Sequence, residues 1–85
     1  MISWLKGQII KNWHLPSKNG VVLNVGGIGY EIQLLSKQLS LTDTIQENEF
    51  WIHQINREDY SNLYGFKDAK QRDLFRIIIS VNGIG

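Results

Sequence analysis

Apolar and polar residues alternate along much of the chain, and the alternation breaks at a few glycine-rich or polar points. Ile2 to Trp13 reads as a first strand. On an extended backbone, Ile2, Trp4 and Ile10 can share one face, with Leu5, Ile9 and Trp13 on the other. Gly7 inside this run predicts a bend or a bulge. The polar stretch from Leu15 to Gly20 holds the single proline, Pro16, and ends in Asn19-Gly20, a strong hairpin signal. Val21 to Val25 is a short β-branched strand, and Gly26-Gly27 offers a second tight turn. In the third strand, Ile28 to Leu34, Tyr30, Ile32 and Leu34 alternate with Glu31 and Gln33, as in a half-buried strand. Gly29, at its start, would let another backbone come close.

Leu35 to Thr44 is polar with leucines at 35, 39 and 41, which fits one helical turn or an irregular connector. Glu49 to Asn56 reads as a fourth strand, apolar on both faces, with Phe50 and Ile52 opposed to Trp51 and Ile55. Arg57-Glu58-Asp59-Tyr60 breaks that pattern, and Leu63 to Phe66 is a short fifth strand. Asp68 then opens a helix, with Gln71 three residues on completing a capping-box pattern. Leu74, Ile77, Ile78 and Val81 fall at i, i+3, i+4 and i+7 and predict one apolar stripe. Asn82-Gly83 marks the stop. The expected fold is therefore mainly β: a five-stranded, OB-like barrel with a connector after the third strand, followed by one C-terminal α-helix.

Composition narrows the function classes. The chain has 85 residues, 42% of them hydrophobic, enough for one small core. Cysteine is absent, which excludes a disulfide staple, a thiolate zinc site and a cysteine nucleophile. No apolar run approaches the ~20 residues that span a bilayer. MISWLK lacks the apolar stretch of a secretory leader, so the expectation is a cytoplasmic protein without membrane contact. The net charge is +1. Up to Ser40 the chain carries four Lys and one Glu, and from Leu41 onward five basic and seven acidic residues. That distribution makes no domain-wide basic field, so composition does not by itself predict nucleic-acid binding.

Few residues offer chemistry. His14 and His53 are the only imidazoles, and neither has neighbours at metal-ligand spacing. His53, on a strand beside Trp51, reads as a partly buried packing residue, and His14 as solvated. Val25-Gly26-Gly27-Ile28-Gly29 resembles a nucleotide-binding glycine loop only superficially, because it leads into a strand and offers no helix N-terminus to a phosphate. Glu58 and Asp59 lie side by side at a tip between two strands. Such a tip supplies no enclosing cavity to separate two carboxyl pKa values, which acid–base catalysis needs. Two projecting carboxylates can instead repel phosphates and keep nucleic-acid strands apart, while the plainer reading is a polar turn. Asn82-Gly83-Ile84-Gly85 after the helix can aim backbone N–H groups at a phosphate, or can simply end the helix.

Several short segments, in order, carry a family resemblance. They are Met1-Ile2 with Leu5-Lys6-Gly7; Val25-Gly26-Gly27-Ile28-Gly29-Tyr30-Glu31; Arg57-Glu58-Asp59 with Leu63-Tyr64-Gly65-Phe66; Arg72-Asp73-Leu74-Phe75; and Asn82-Gly83-Ile84-Gly85. Together they make the chain resemble, nearly end to end, the N-terminal part of the RuvA family. The resemblance implies an OB-fold domain at residues 1–66, and at 67–85 the first helix and turn of a truncated helix-hairpin-helix domain. It also implies a non-catalytic subunit that recognises four-way Holliday junctions in DNA recombination and repair. Glu58 and Asp59 match the family's acidic pin, which sits at the junction centre. Asn82, Gly83, Ile84 and Gly85 match the opening of its phosphate-binding turn, left incomplete where this sequence stops. The implied partners are junction DNA, a RuvB-like motor ATPase whose contact domain is absent here, a RuvC-like resolvase, and sister subunits in a homotetramer. No cofactor is implied for this chain; ATP and magnesium belong to the motor.

A different class of function is a standalone OB-fold module that binds single-stranded nucleic acid or another protein. Its signature is a groove of exposed aromatics and cations. Trp4, Trp13, Tyr30, Trp51, Tyr60 and Tyr64 are the candidates, although a small barrel is expected to bury most of them. A small enzyme finds no support, since no nucleophile–base pair, metal cluster or cofactor loop emerges.

Overall fold

The computed structural model describes residues 1–35, 42 and 45–81. Five strands and one helix follow in order: β1 (Trp4–Leu15), β2 (Lys18–Val25), β3 (Ile28–Leu34), β4 (Glu47–Asn56), β5 (Ser61–Phe66) and α1 (Ala69–Val81). The strands close into a barrel in the order β1-β2-β3-β5-β4, with β4 returning to β1. Only β3 and β5 run parallel. The expected five-stranded barrel and C-terminal helix are thus present. Most of the Leu35–Thr44 connector, and the helix stop at Asn82-Gly83, lie outside the described residues.

Closure depends on β1, whose 12 residues serve two neighbours. Trp4 to Gln8 pair with β4, and Gln8 to Leu15 pair with β2. Gly7 makes neither bend nor bulge. It stays in register opposite Asn48, and a Cβ there would collide with the backbone carbonyl of Asn24 on β2. The irregularity falls at Ile10, skipped between the pairs Ile9↔Leu23 and Lys11↔Val22. An extra residue in one strand reverses the inside–outside alternation beyond it. Leu5 and Ile9 therefore point inward, whereas Trp13 stands opposite Gly20 on the outer face.

The first hairpin also differs from expectation. Asn19 and Gly20 are not the turn; they belong to the ladder, paired with His14 and Trp13. The turn is Pro16-Ser17, between the paired Leu15 and Lys18. Proline fixes a negative φ suited to the first central position of a turn. Gly20 is needed for space, since a Cβ there would meet the Ile32 carbonyl and the Trp13 ring. By contrast Gly26 and Gly27 do form the second turn, with φ of 60° and 90°. The Gly27 N–H donates to Asn24 Oδ1 at 2.9 Å. Left-handed geometry at both central residues matches the twist of a two-residue hairpin.

The core is aliphatic with one ring at its centre. Leu5, Ile9, Val21, Leu23, Ile32, Leu34, Phe50 and Ile52 form one buried cluster. Of the six aromatics considered as groove or core residues, none is fully buried: Trp4 and Tyr60 are exposed, and Trp13, Tyr30, Trp51 and Tyr64 are partly buried. A five-stranded barrel is too narrow inside for several indoles, so they pack on its outer wall.

The helix starts as expected, with the Asp68 carboxylate accepting the Lys70 N–H at 2.7 Å. Its packing face does not follow expectation. Leu74, Ile77, Ile78 and Val81 are exposed. The opposite stripe, Arg72, Phe75, Arg76 and Ile79, faces β4 and β5. The Phe75 ring lies 5.1–5.6 Å from those of Phe66, Tyr64 and His53. Arg72 donates to the Ser3 carbonyl at 2.9 Å and Arg76 to the Ile52 carbonyl at 3.2 Å. The barrel's outer wall offers rings and carbonyls there, which suit a phenylalanine flanked by guanidinium donors better than an all-aliphatic stripe. No helix among the described residues is long and apolar enough to cross a membrane.

Candidate nucleic-acid interface

The β4–β5 hairpin carries the two carboxylates singled out in the sequence. Its strands pair from Trp51↔Phe66 to Asn56↔Ser61. The four-residue tip closes with Arg57 N–H donating to the Tyr60 carbonyl at 2.7 Å. Glu58 and Asp59 are exposed at that tip, and neither makes a hydrogen bond or ion pair among the described residues. Carboxylates so placed keep their full charge available to whatever approaches.

The base of the hairpin is held by side chains. Ser61 Oγ donates to Asn56 Oδ1 at 2.8 Å. The Gln54 amide donates to the same Asn56 oxygen at 3.0 Å and to Ser61 Oγ at 3.1 Å. Its carbonyl accepts the backbone N–H of Ile2 at 2.8 Å, tying the chain's start to the hairpin. Sequence reading missed Gln54, although a signal existed: Asn48 and Gln54 are polar yet in phase with the buried Phe50 and Ile52. Asn48 is 2% exposed and accepts from Lys67 Nζ at 3.1 Å. That ammonium also sits 4.8 Å from the centre of the Phe50 ring.

His53 is a packing residue, as its strand position suggested. Its Nδ1 accepts from Arg76 Nε at 3.0 Å, and its ring meets Phe75 edge-on. Burial lowers its pKa from the ordinary 6.5, and the charges of Arg76 and Arg72 lower it further. A neutral imidazole held as acceptor by a guanidinium is structural. His14 is exposed beside the first hairpin turn. Among the described residues no three His, Asp or Glu side chains converge to hold a metal ion. Asn82, Gly83, Ile84 and Gly85, the expected phosphate turn, lie outside the described residues.

On the barrel's outer wall, beside the hairpin, lies a cavity of about 360 Å³. Trp13 and Lys18 border it on one side, Glu31 and Gln33 of β3 line it, and Ser61 and Asn62 of β5 border the other. The bulge at Ile10 turns Trp13 to this face. Sequence alternation, which put Trp13 with Leu5 and Ile9, could not have found it.

Comparison with known proteins places the chain. Residues 1–65 match the family described as the RuvA N terminal domain. Over all 85 residues the chain is 64% identical to the Holliday junction branch migration complex subunit RuvA of Prochlorococcus marinus (strain NATL1A), of which it covers 38%. It is 47% identical to the protein of the same name from Synechococcus sp. (strain CC9311), covering 39%. The chain therefore spans about two fifths of the length of these relatives. With a family match across most of its residues and a closed five-stranded barrel to carry it, the chain belongs to the RuvA N-terminal domain family.

Proposed function

We propose that this chain is the junction-facing part of a non-catalytic DNA-binding subunit that holds four-way Holliday junctions while a partner motor ATPase drives branch migration. The observation that carries this reading is the β4–β5 tip, with two exposed carboxylates that have no partner among the described residues, on a hairpin fixed at its base by Gln54, Asn56 and Ser61. Relatives named as Holliday junction subunits support it.

In this reading Glu58 and Asp59 form an acidic pin. A carboxylate about 8 Å from a phosphate is repelled by roughly 0.5 kcal/mol in water, and by more where protein and DNA exclude solvent. Several pins at one crossover would keep the strands from closing over it and favour an open junction. Rigidity matters here, because a flexible tip would swing away from the phosphates. Affinity would come from elsewhere: backbone amides of Asn82 to Gly85 at the turn after α1 would grip phosphate without reading bases. Residues 1–66 are then the OB-fold domain and 67–85 the start of a helix-hairpin-helix domain. A homotetramer would bring four pins together. A RuvB-like ATPase, with its ATP and magnesium, would supply the work, and a RuvC-like resolvase would act on the same junction in the cytoplasm.

The test is Glu58→Gln with Asp59→Asn in the intact protein, read by energy transfer between adjacent arms of a labelled four-way junction. The neutral pair is expected to bind a few-fold more tightly at low salt and to alter the arm geometry, with the difference shrinking as salt screens the charges. Unchanged affinity, arm geometry and salt response would refute the pin.

A further inference from the structure

The cavity beside the pin has the parts of a site for one unpaired base. Trp13 is its aromatic wall. The indole is fixed, because Nε1–H donates to the Val21 carbonyl at 3.2 Å and the ring packs against Gly20, where any side chain would displace it. A fixed ring loses little freedom when a base stacks on it. The rest of the lining mixes two leucines, Leu15 and Leu63, with polar groups, of which only Ser61 is committed, to the hairpin's base. Lys18, Glu31, Gln33 and Asn62 make no side-chain hydrogen bond or ion pair among the described residues.

These groups are chemically complementary to a nucleotide. The Gln33 and Asn62 amides each offer donors and an acceptor, and the Glu31 carboxylate accepts from exocyclic amines such as cytosine N4. Lys18 at the rim supplies the one cation a flanking phosphate needs. The volume, about 360 Å³, lies at the small end of ligand sites, which run about 300–1,000 Å³. Duplex DNA is excluded by form, because a stacked and paired base cannot present its face to an indole in a cavity. The site also adjoins the pin without a linker. Ser61, which closes the hairpin's base, lines the cavity as well.

We infer that the Trp13 cavity takes a single unpaired DNA base, stacked on the indole and bonded at its edge by Glu31, Gln33 and Asn62. A strand parted at the Glu58–Asp59 tip would have its first free base within reach, so the pin would separate and the cavity would hold. The inference rests on the junction reading only for the source of that base.

The experiment labels the tryptophans of the intact protein, among them Trp4, Trp13 and Trp51 of this chain, with 5-fluorotryptophan and titrates the single-stranded hexamer dC6, at pH 7.5 and low salt, following fluorine NMR. Trp13→Phe assigns the signal. The Trp13 resonance is expected to move saturably while those of Trp4 and Trp51 stay. Gln33→Ala and Asn62→Ala, which remove no side-chain hydrogen bond among the described residues, should each weaken dC6 binding several-fold. Trp13→Ala should weaken it on the order of tenfold or more. A Trp13 signal unmoved at millimolar dC6 would overturn the inference. So would an equal response to a duplex of the same length, or binding indifferent to both amide variants. The pin's failure is separable: Glu58→Gln with Asp59→Asn leaves the Trp13 response to dC6 in place, whatever it does at a junction.

Discussion

Arg76 Nε donates to Nδ1 of His53 at 3.0 Å, joining the second half of β4 to the helix that follows the barrel. The bond requires a lone pair on Nδ1, and a guanidinium has no acceptor to offer in return. Protonating the imidazole at Nδ1 would therefore break the bond and set two positive charges against each other.

A pH dependence follows from this pair. Burial first, then Arg76 and Arg72, hold the folded His53 pKa below 6.5. Above 6.5 the ring is neutral in both folded and unfolded chains, and the contact contributes in full. As pH falls through 6.5 the unfolded chain takes up a proton that the folded chain refuses, so stability declines until the folded pKa is passed. Urea midpoints should fall between pH 7.5 and pH 5.5. His53→Gln should flatten that fall. An equal decline in the variant would assign the loss to other groups.

The barrel's glycines should divide sharply by what lies above them. Gly7 faces the backbone of Asn24, which cannot yield without opening the β1–β2 ladder. Gly7→Ala should cost about 1–3 kcal/mol, as overpacking does. Gly29 faces only the Val22 Cγ1 atom at 3.1 Å, the end of a side chain on the outer wall. Gly29→Ala should change stability by no more than about 0.5 kcal/mol. Chemical denaturation of the two variants under one condition checks the contrast.

Opposite faces of α1 should respond oppositely to substitution. Phe75 packs against three rings, and Phe75→Ala should cost about 2–4 kcal/mol or release the helix from the barrel. Ile78 is 49% exposed and Ile77 60%, so Ile77→Gln and Ile78→Gln should each shift stability by only about 0.5 kcal/mol. Amide exchange along Ala69–Val81 reports both. Fast exchange after Ile78→Gln would mean that the sequence-expected stripe, and not the Phe75 face, holds the helix.

Which elements the sequence revealed follows from the reach of the interactions that make them. The Gly26-Gly27 turn, the alternation of β3 and the Asp68 cap each depend on residues within about four positions, and each was legible. So were the exposed carboxylates at 58 and 59, because a polar interruption between two strands has nowhere to go but outward. The turn falls at Pro16-Ser17 and not at Asn19-Gly20, because that dipeptide signals a turn only when no close contact claims the glycine. Here Trp13 and Ile32 claim it. The bulge at Ile10 left no local mark, yet it decides which way Trp13 points and so whether the outer cavity has an aromatic wall. The helix carries two apolar-compatible stripes half a turn apart, and only the aromatic wall of β4 and β5 could choose between them. Local sequence thus determined the strands, the tip and the helix start, since their hydrogen bonds close within a few residues. Tertiary structure decided which faces meet, since those choices rest on contacts between residues far apart in the chain, such as Arg72 with Ser3 and Gln54 with Ile2, that form only when the barrel closes.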